Sequence, residues 1–200
     1  MDAIISADET LFFWINGLAL KVPTLDWLME LLGDDYFIVA IMALILLGLW
    51  FSFRSAARRE INQRAVLCAV AAVGLAAIVI HLLMVYGPDR LRPYDAYPDL
   101  VNLLTYKRID PSFPSESAAV SFAFATGVLL MKRGRLAAAM FFMAVLLCFA
   151  RVYIGVHYPL DILAGVAIGI LASLAAFGIL RLIEPLPIRF IGVMRKLYLA

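Results

Sequence analysis

Residues 136–180 read LAAAMFFMAVLLCFARVYIGVHYPLDILAGVAIGILASLAAFGIL. Two apolar runs lie end to end here, each about 20 residues long, the length an α-helix needs to cross the hydrocarbon core of a bilayer. The only formal charges in the stretch are Arg151 and Asp161, which lie with His157 around the joint between the runs. A charge at membrane depth is expensive and marks a function by default. Composition agrees with a membrane setting: 64% of the 200 residues are hydrophobic and mean hydropathy is +0.95, against roughly half apolar in soluble proteins. One soluble core of this size cannot enclose that much apolar surface.

Working outward, comparable runs occur at 36–53, 65–86 and 115–131, the last slightly short and rich in small residues. The sequence therefore predicts an all-α, polytopic membrane helix bundle of five spans, at 36–53, 65–86, 115–131, 136–156 and 160–180. The segment 10–20 is apolar but too short to cross, and with Phe12, Phe13 and Trp14 it reads as an interfacial helix. Extending it back to Ala3 gives six spans, at the cost of placing Asp8 and Glu9 at membrane depth. The expected organisation is an N-terminal interfacial region at 1–35, a transmembrane domain at 36–183 and a cytoplasmic tail at 184–200. Gly165 and Gly169 form a GxxxG pattern, which signals close helix packing. Cys68 and Cys148 lie inside apolar runs and read as small core residues rather than a disulfide. The opening Met1-Asp2 lacks the basic start of a cleaved signal peptide. A net charge of +2 is too small to argue for a nucleic-acid partner.

The distribution of charge is more informative than its sum. Arg54, Arg58, Arg59 and Arg64 follow the first span, Lys132, Arg133 and Arg135 follow the third, and Arg181, Arg189, Arg195 and Lys196 follow the fifth. With five spans all three groups fall on one side, which the positive-inside rule makes cytoplasmic. The loop 87–114 and the turn at His157 then face the other way.

Three polar clusters share that second side. Gly87-Pro-Asp-Arg-Leu-Arg-Pro-Tyr94 holds Arg90 and Arg92 between prolines, and a guanidinium fork suits phosphate. Alone, two loop arginines read as solvated. Ser112-Phe-Pro-Ser-Glu-Ser117 opens the third span; alone it reads as an N-cap, though a helix N-terminus also attracts anions. Arg151, His157 and Asp161 complete the set. If His157 and Asp161 share a helix, the spacing of four puts them on one face, and Asp161 can hold one imidazole nitrogen protonated while the other attacks. Alone, these three read equally as a functional group or as a snorkelling arginine and a helix cap. Together the clusters describe an oxyanion cradle around a nucleophile, as phosphoryl transfer requires. The other histidine, His81, lies inside the second span without an acidic neighbour and reads as a packed or helix-bonding residue.

In order, spacing and position at the span ends these motifs resemble the phosphatidic acid phosphatase type 2 superfamily of membrane lipid phosphatases, over roughly residues 25–180. That family carries Lys-x6-Arg-Pro, Pro-Ser-Gly-His and Ser-Arg-x5-His-x3-Asp. The resemblance implies that His157 is the nucleophile forming a phosphohistidine, that Asp161 orients it, and that Arg151, Arg92 and Ser115 bind phosphate. Arg90 stands where relatives carry an additional arginine. Four positions depart: Val85 replaces the motif-one lysine, Ser117 the motif-two histidine with Glu116 in place of its glycine, and Ala150 the serine before Arg151. Serine cannot protonate a leaving group near neutral pH. A lipid monophosphate leaving from a diphosphate needs no such proton, whereas a lipid alkoxide does. Glu116 is the candidate acid if burial raises its pKa.

The expected function is hydrolysis of a terminal phosphate from a membrane lipid phosphate or diphosphate on the extracytoplasmic side of a cell (inner) membrane. Undecaprenyl diphosphate is the first substrate, ahead of phosphatidylglycerophosphate, phosphatidate and lipid A. No cofactor and no metal are expected, the arginines neutralising the phosphate. A non-catalytic lipid-phosphate binding or transport component and a lipid phosphotransferase are the alternatives. The oligomeric state is not legible in the sequence.

Overall fold

The computed structural model describes residues 2–52, 55–131 and 134–197. Arg54, Lys132 and Arg133 of the basic connectors lie outside the described residues. Among the described residues the chain forms nine helices and no strand: α1 (Asp2–Asn16), α2 (Pro23–Gly33), α3 (Phe37–Trp50), α4 (Ala56–Tyr86), α5 (Pro93–Ala96), α6 (Glu116–Leu130), α7 (Gly134–Tyr153), α8 (Pro159–Leu182) and α9 (Leu186–Lys196). The fold is therefore the all-α membrane bundle the sequence predicts.

Three of these helices, α4, α7 and α8, are long and apolar enough to cross a membrane. The expected span at 36–53 has only 14 residues of helix in α3, and reaches crossing length jointly with α2, bent by 51° against it. The break has a local cause. Asp34 turns its carboxylate onto the backbone N–H groups of Tyr36 and Phe37, both at 2.9 Å, and so starts a fresh helix.

Helix α6 is the shorter apolar element, 15 residues long, and it is the centre of the bundle, packed against α4, α7 and α8. Its run of Ser117, Ala118, Ala119, Ser121 and Ala123 is buried because small side chains let neighbouring backbones come close. The GxxxG pattern sits on this contact: a Cβ at Gly165 would collide with the Ser115 carbonyl, and one at Gly169 with the Ala119 carbonyl. Cys68 and Cys148 are buried and free, as core residues.

Helix α1 packs against α7 and α8, burying Phe12, Ile15 and Asn16 while Ile4, Leu11 and Trp14 stay exposed. Asn16 ties it down by donating to the carbonyls of Asn102 and Tyr153, both at 2.8 Å. Asp8, the residue that a sixth span would have stranded in lipid, is buried in protein at 4% exposure. At the other end of the bundle α9 packs on α4, where Gln63 accepts from Arg195 at 2.7 Å.

Candidate active site

The end of α4, the loop to α6, the start of α6 and the α7–α8 joint meet at one end of the bundle. They surround a cavity of about 250 Å³, lined by Arg92, Arg108, Arg151, His157, Glu116 and Ser117. Val39, Met84 and Val120 give it an apolar wall between α3, α4 and α6. Of the sequence-predicted residues, His157, Arg151, Arg92 and Glu116 thus meet around one space.

His157 is 2% exposed and both ring nitrogens have partners. Nδ1 lies 2.9 Å from the Ser112 carbonyl and Nε2 lies 3.4 Å from Nη2 of Arg151. A carbonyl only accepts and a guanidinium only donates. The two partners therefore assign the tautomer: Nδ1 carries the proton and Nε2 presents its lone pair. Burial pushes the imidazole down to about 4, with Arg151 and Arg92 adding to the effect against Asp161, so the ring is neutral near pH 7. A neutral imidazole with an unprotonated Nε2 is a nucleophile.

The expected direct Asp161–His157 hydrogen bond is not made. Asp161 Oδ2 is 3.8 Å from Nδ1, beyond hydrogen-bond length. Pro159 begins α8, so His157 precedes the helix and the spacing of four does not put both residues on one helical face. Asp161 Oδ2 instead accepts from the Ser112 hydroxyl at 2.6 Å and from the Tyr158 N–H at 2.9 Å. Ser112 stands between them, its hydroxyl on Asp161 and its carbonyl on His157.

Arg90 is not among the cavity lining. Its Nη1 donates to Asp161 Oδ1 at 2.8 Å, its Nη2 to Asp8 Oδ2 at 2.5 Å, and its guanidinium covers the Tyr158 ring at 3.9 Å. Asp8 Oδ1 accepts from the Leu160 N–H at 2.8 Å, at the start of α8. A chain of contacts therefore runs from Asp8 through Arg90, Asp161 and Ser112 to His157.

Arg92 is 2% exposed and its donors are engaged by the fold: Nε with the Asp110 carbonyl at 3.0 Å, Nη1 with the Val156 carbonyl at 3.0 Å, and Nη2 with the Asp110 carboxylate at 2.7 Å. Burial alone would raise Asp110, but Arg92 and then Arg108 bring it below the usual carboxylate value. Arg151 is 3% exposed and donates to the Gly33 carbonyl at 2.9 Å and to Asp35 Oδ1 at 2.7 Å. Its Nε is buried with no hydrogen-bond partner among the described residues.

Ser115 is fully buried, and its N–H, expected to face an anion, donates to the Asp161 carbonyl at 3.1 Å. Its hydroxyl lies 3.4 Å from that of Ser117, which does reach the cavity. Glu116 lines the cavity but is exposed rather than buried. His81 is exposed on α4 rather than packed.

Sequence reasoning missed Asp8, Asp35, Arg108 and Ser112. Asp8 and the Asp34-Asp35 pair carried a signal, as acids beside apolar runs. Arg108 carried none, being an ordinary residue in a long loop, and Ser112 stood out only as the first residue of the segment that opens the third span.

The family model described as the PAP2 superfamily matches residues 65–183. The undecaprenyl-diphosphatase BcrC of Bacillus subtilis (strain 168) is 27% identical over 188 residues, covering 94% of this chain and 90% of its own length. The bacitracin transport permease protein BcrC of Bacillus licheniformis is 30% identical over 168 residues, covering 83% and 77%. Among solved structures, Aquifex aeolicus LpxE superposes with a TM-score of 0.69 at 28% identity, covering 84% of this chain and 93% of LpxE. With more than half of the chain under the family model, and with its motif histidine and arginines gathered on one cavity, the chain belongs to the PAP2 superfamily, as a multi-pass membrane lipid phosphatase.

Proposed function

We propose that this protein hydrolyses undecaprenyl diphosphate to the monophosphate on the extracytoplasmic face of the cell membrane, through a phosphohistidine at His157. The observation that carries the reading is the assigned tautomer: a buried neutral imidazole whose Nε2 lone pair sits 3.4 Å from Arg151 on an arginine-lined cavity. Nε2 attacks the terminal phosphorus, the P–O bond to the bridging oxygen breaks, and the lipid monophosphate leaves with the electron pair. Water then cleaves the P–N bond, returning neutral His157 and inorganic phosphate. Arg151 neutralises charge on the transferred phosphoryl group. Asp161 and Arg90 hold the Ser112 carbonyl against Nδ1, and Arg92 locks the 110–111 loop onto Val156 beside the ring.

The substrate follows from the leaving group and from the B. subtilis relative's name. The Ser117 hydroxyl is too weak an acid to protonate a leaving group near neutral pH and Glu116 is exposed, so the site favours a leaving group that departs as an anion. The orientation is supported by the opposite end, which carries Arg58, Arg59 and Arg64 at the start of α4, Arg181 at the end of α8 and Arg195 on α9.

The test is phosphate release by the purified protein from undecaprenyl diphosphate in metal-free detergent. His157→Ala should lower it at least about a thousand-fold, and labelled substrate should leave an acid-labile phosphoenzyme in the wild type alone. Release by the variant within tenfold of wild type, or an absolute need for added Mg²⁺, would sink the proposal. A transport or binding role without turnover has the B. licheniformis relative's name on its side. It predicts lipid binding with no release by either protein.

A further inference from the structure

Arg108 belongs to none of the family motifs, yet it lines the cavity with Arg151 and His157. We propose that Arg108 binds the second, non-transferred phosphate of a diphosphate lipid and takes up the charge that appears there when the leaving group departs. This rests on the diphosphate reading above and adds the residue that makes it selective.

Its placement is built, not incidental. The Arg108 N–H donates to the hydroxyl of Tyr94 at 2.8 Å, and that hydroxyl donates back to the Arg108 carbonyl at 3.2 Å. Tyr94 is 2% exposed, so a loop residue has its backbone fixed to the core. The side chain reaches Asp35, which is shared: Oδ1 accepts from Arg151 at 2.7 Å while Oδ2 pairs with Arg108. The Tyr106 hydroxyl also donates to Oδ2, at 2.7 Å.

The two guanidiniums are therefore one carboxylate apart. Arg151 touches the nucleophile, so the phosphoryl group on it is the one His157 attacks. Arg108 stands one anionic group further on, where the adjoining phosphate of a diphosphate would lie. Arg92 is a weaker competitor for that role, since carbonyls and Asp110 occupy four of its five N–H groups. The cavity, about 250 Å³, has room for more than one phosphoryl group. Asp35 holds both arginines in register and yields them to the more highly charged substrate.

The charge balance closes without an acid. Neutral His157 attacks a trianionic lipid diphosphate, giving a phosphoimidazolium with two negative oxygens and a dianionic lipid monophosphate. No proton is transferred, and the new charge on the leaving phosphate falls beside Arg108. A guanidinium there does electrostatically what the family's second histidine does by protonation, and Ser117 is then sufficient at that position.

Arg108→Gln tests this in two ways. Turnover of undecaprenyl diphosphate should fall about a hundred-fold, the loss typical of one oxyanion donor, while any turnover of phosphatidate should change less than about threefold. Inorganic pyrophosphate should also raise the melting temperature of the detergent-solubilised wild type at lower concentration than inorganic phosphate. Arg108→Gln should erase that preference while keeping the response to phosphate, which also reports that the variant is folded. If the variant keeps the pyrophosphate preference, or loses activity on both lipids equally, the subsite is not at Arg108. A wild type that prefers pyrophosphate but leaves undecaprenyl diphosphate intact would overturn the substrate reading and leave the subsite standing.

Discussion

Arginines and carboxylates are paired at both ends of this bundle, under opposite conditions. At the site end Arg92 and Arg151 are 2% and 3% exposed and are packed against backbone carbonyls as well as acids. At the far end Arg64 keeps 30% of its side chain exposed while bridging Glu60 at 3.2 Å and Glu184 at 2.6 Å. A cavity of about 440 Å³, larger than the one at the site, lies at the far end beside Leu67, Phe177 and Leu180, and its lining holds no histidine. Cavity size is a poor guide here. What separates the ends is how much desolvation the charges have accepted, since a buried guanidinium is tolerated only where its partners are held in place.

The sharpest way to break that comparison is Arg151→Met. It leaves the largely buried Asp35, 13% exposed, with one fewer partner and takes the guanidinium from His157 Nε2. Breaking a buried pair costs about 3–5 kcal/mol, at the lower end here because Arg108 still holds Asp35. Unfolding in detergent should show that loss, and phosphate release should drop below detection. A variant as stable as wild type would mean that the buried pairs at the site are neutral to the fold.

A smaller effect is expected one layer back, at Asp8. Asp8→Ala frees Arg90 from one side and removes the acceptor at the Leu160 N–H. Asp161, Ser112 and the imidazole then lose register, and a displacement of about 1 Å in such a constellation costs about a hundred-fold. The loss should fall on kcat with KM little changed, because Asp8 does not touch the cavity. In an Arg90→Ala background Asp8→Ala should add only what the lost Leu160 N–H contact costs, so the two losses should fall well short of additive. Additive losses would show that Asp8 acts by holding α1 rather than through Arg90.

Asp8 also marks where the sequence stops being readable. Span-length hydropathy located α4, α7 and α8, and motif spacing brought His157, Arg151 and Arg92 to one end, because both signals are local. The position of α1 is not local. Asp8 lies 152 residues from the Leu160 N–H it accepts from, and nothing in residues 1–20 encodes that partner. The acid did announce itself as a misfit beside an apolar run, and the fold resolves the misfit with Arg90 rather than with lipid. The Asp161–His157 geometry failed for a different reason: the spacing of four was read as helical, while Pro159 starts the helix after the histidine. The role of Ser112 was invisible because its backbone carbonyl faces the imidazole, and a carbonyl leaves no trace in the sequence.

The smallest effect should come from the far end, and it bears equally on the comparison. Arg64→Ala removes two ion pairs whose acids remain 39–40% exposed. Exposed pairs of this kind contribute about 0.2–1 kcal/mol, because solvent screens them and ordering two long side chains offsets the attraction. Unfolding in detergent should move by that much or less, and phosphate release should be unchanged. The short 2.6 Å contact to Glu184 makes this a strict test, since a pair chosen by distance alone would be ranked with those at the site. If Arg64→Ala cost as much as Arg151→Met, desolvation would not be what distinguishes the ends. The far cavity would then have to be read as a second place where charge is held for a purpose.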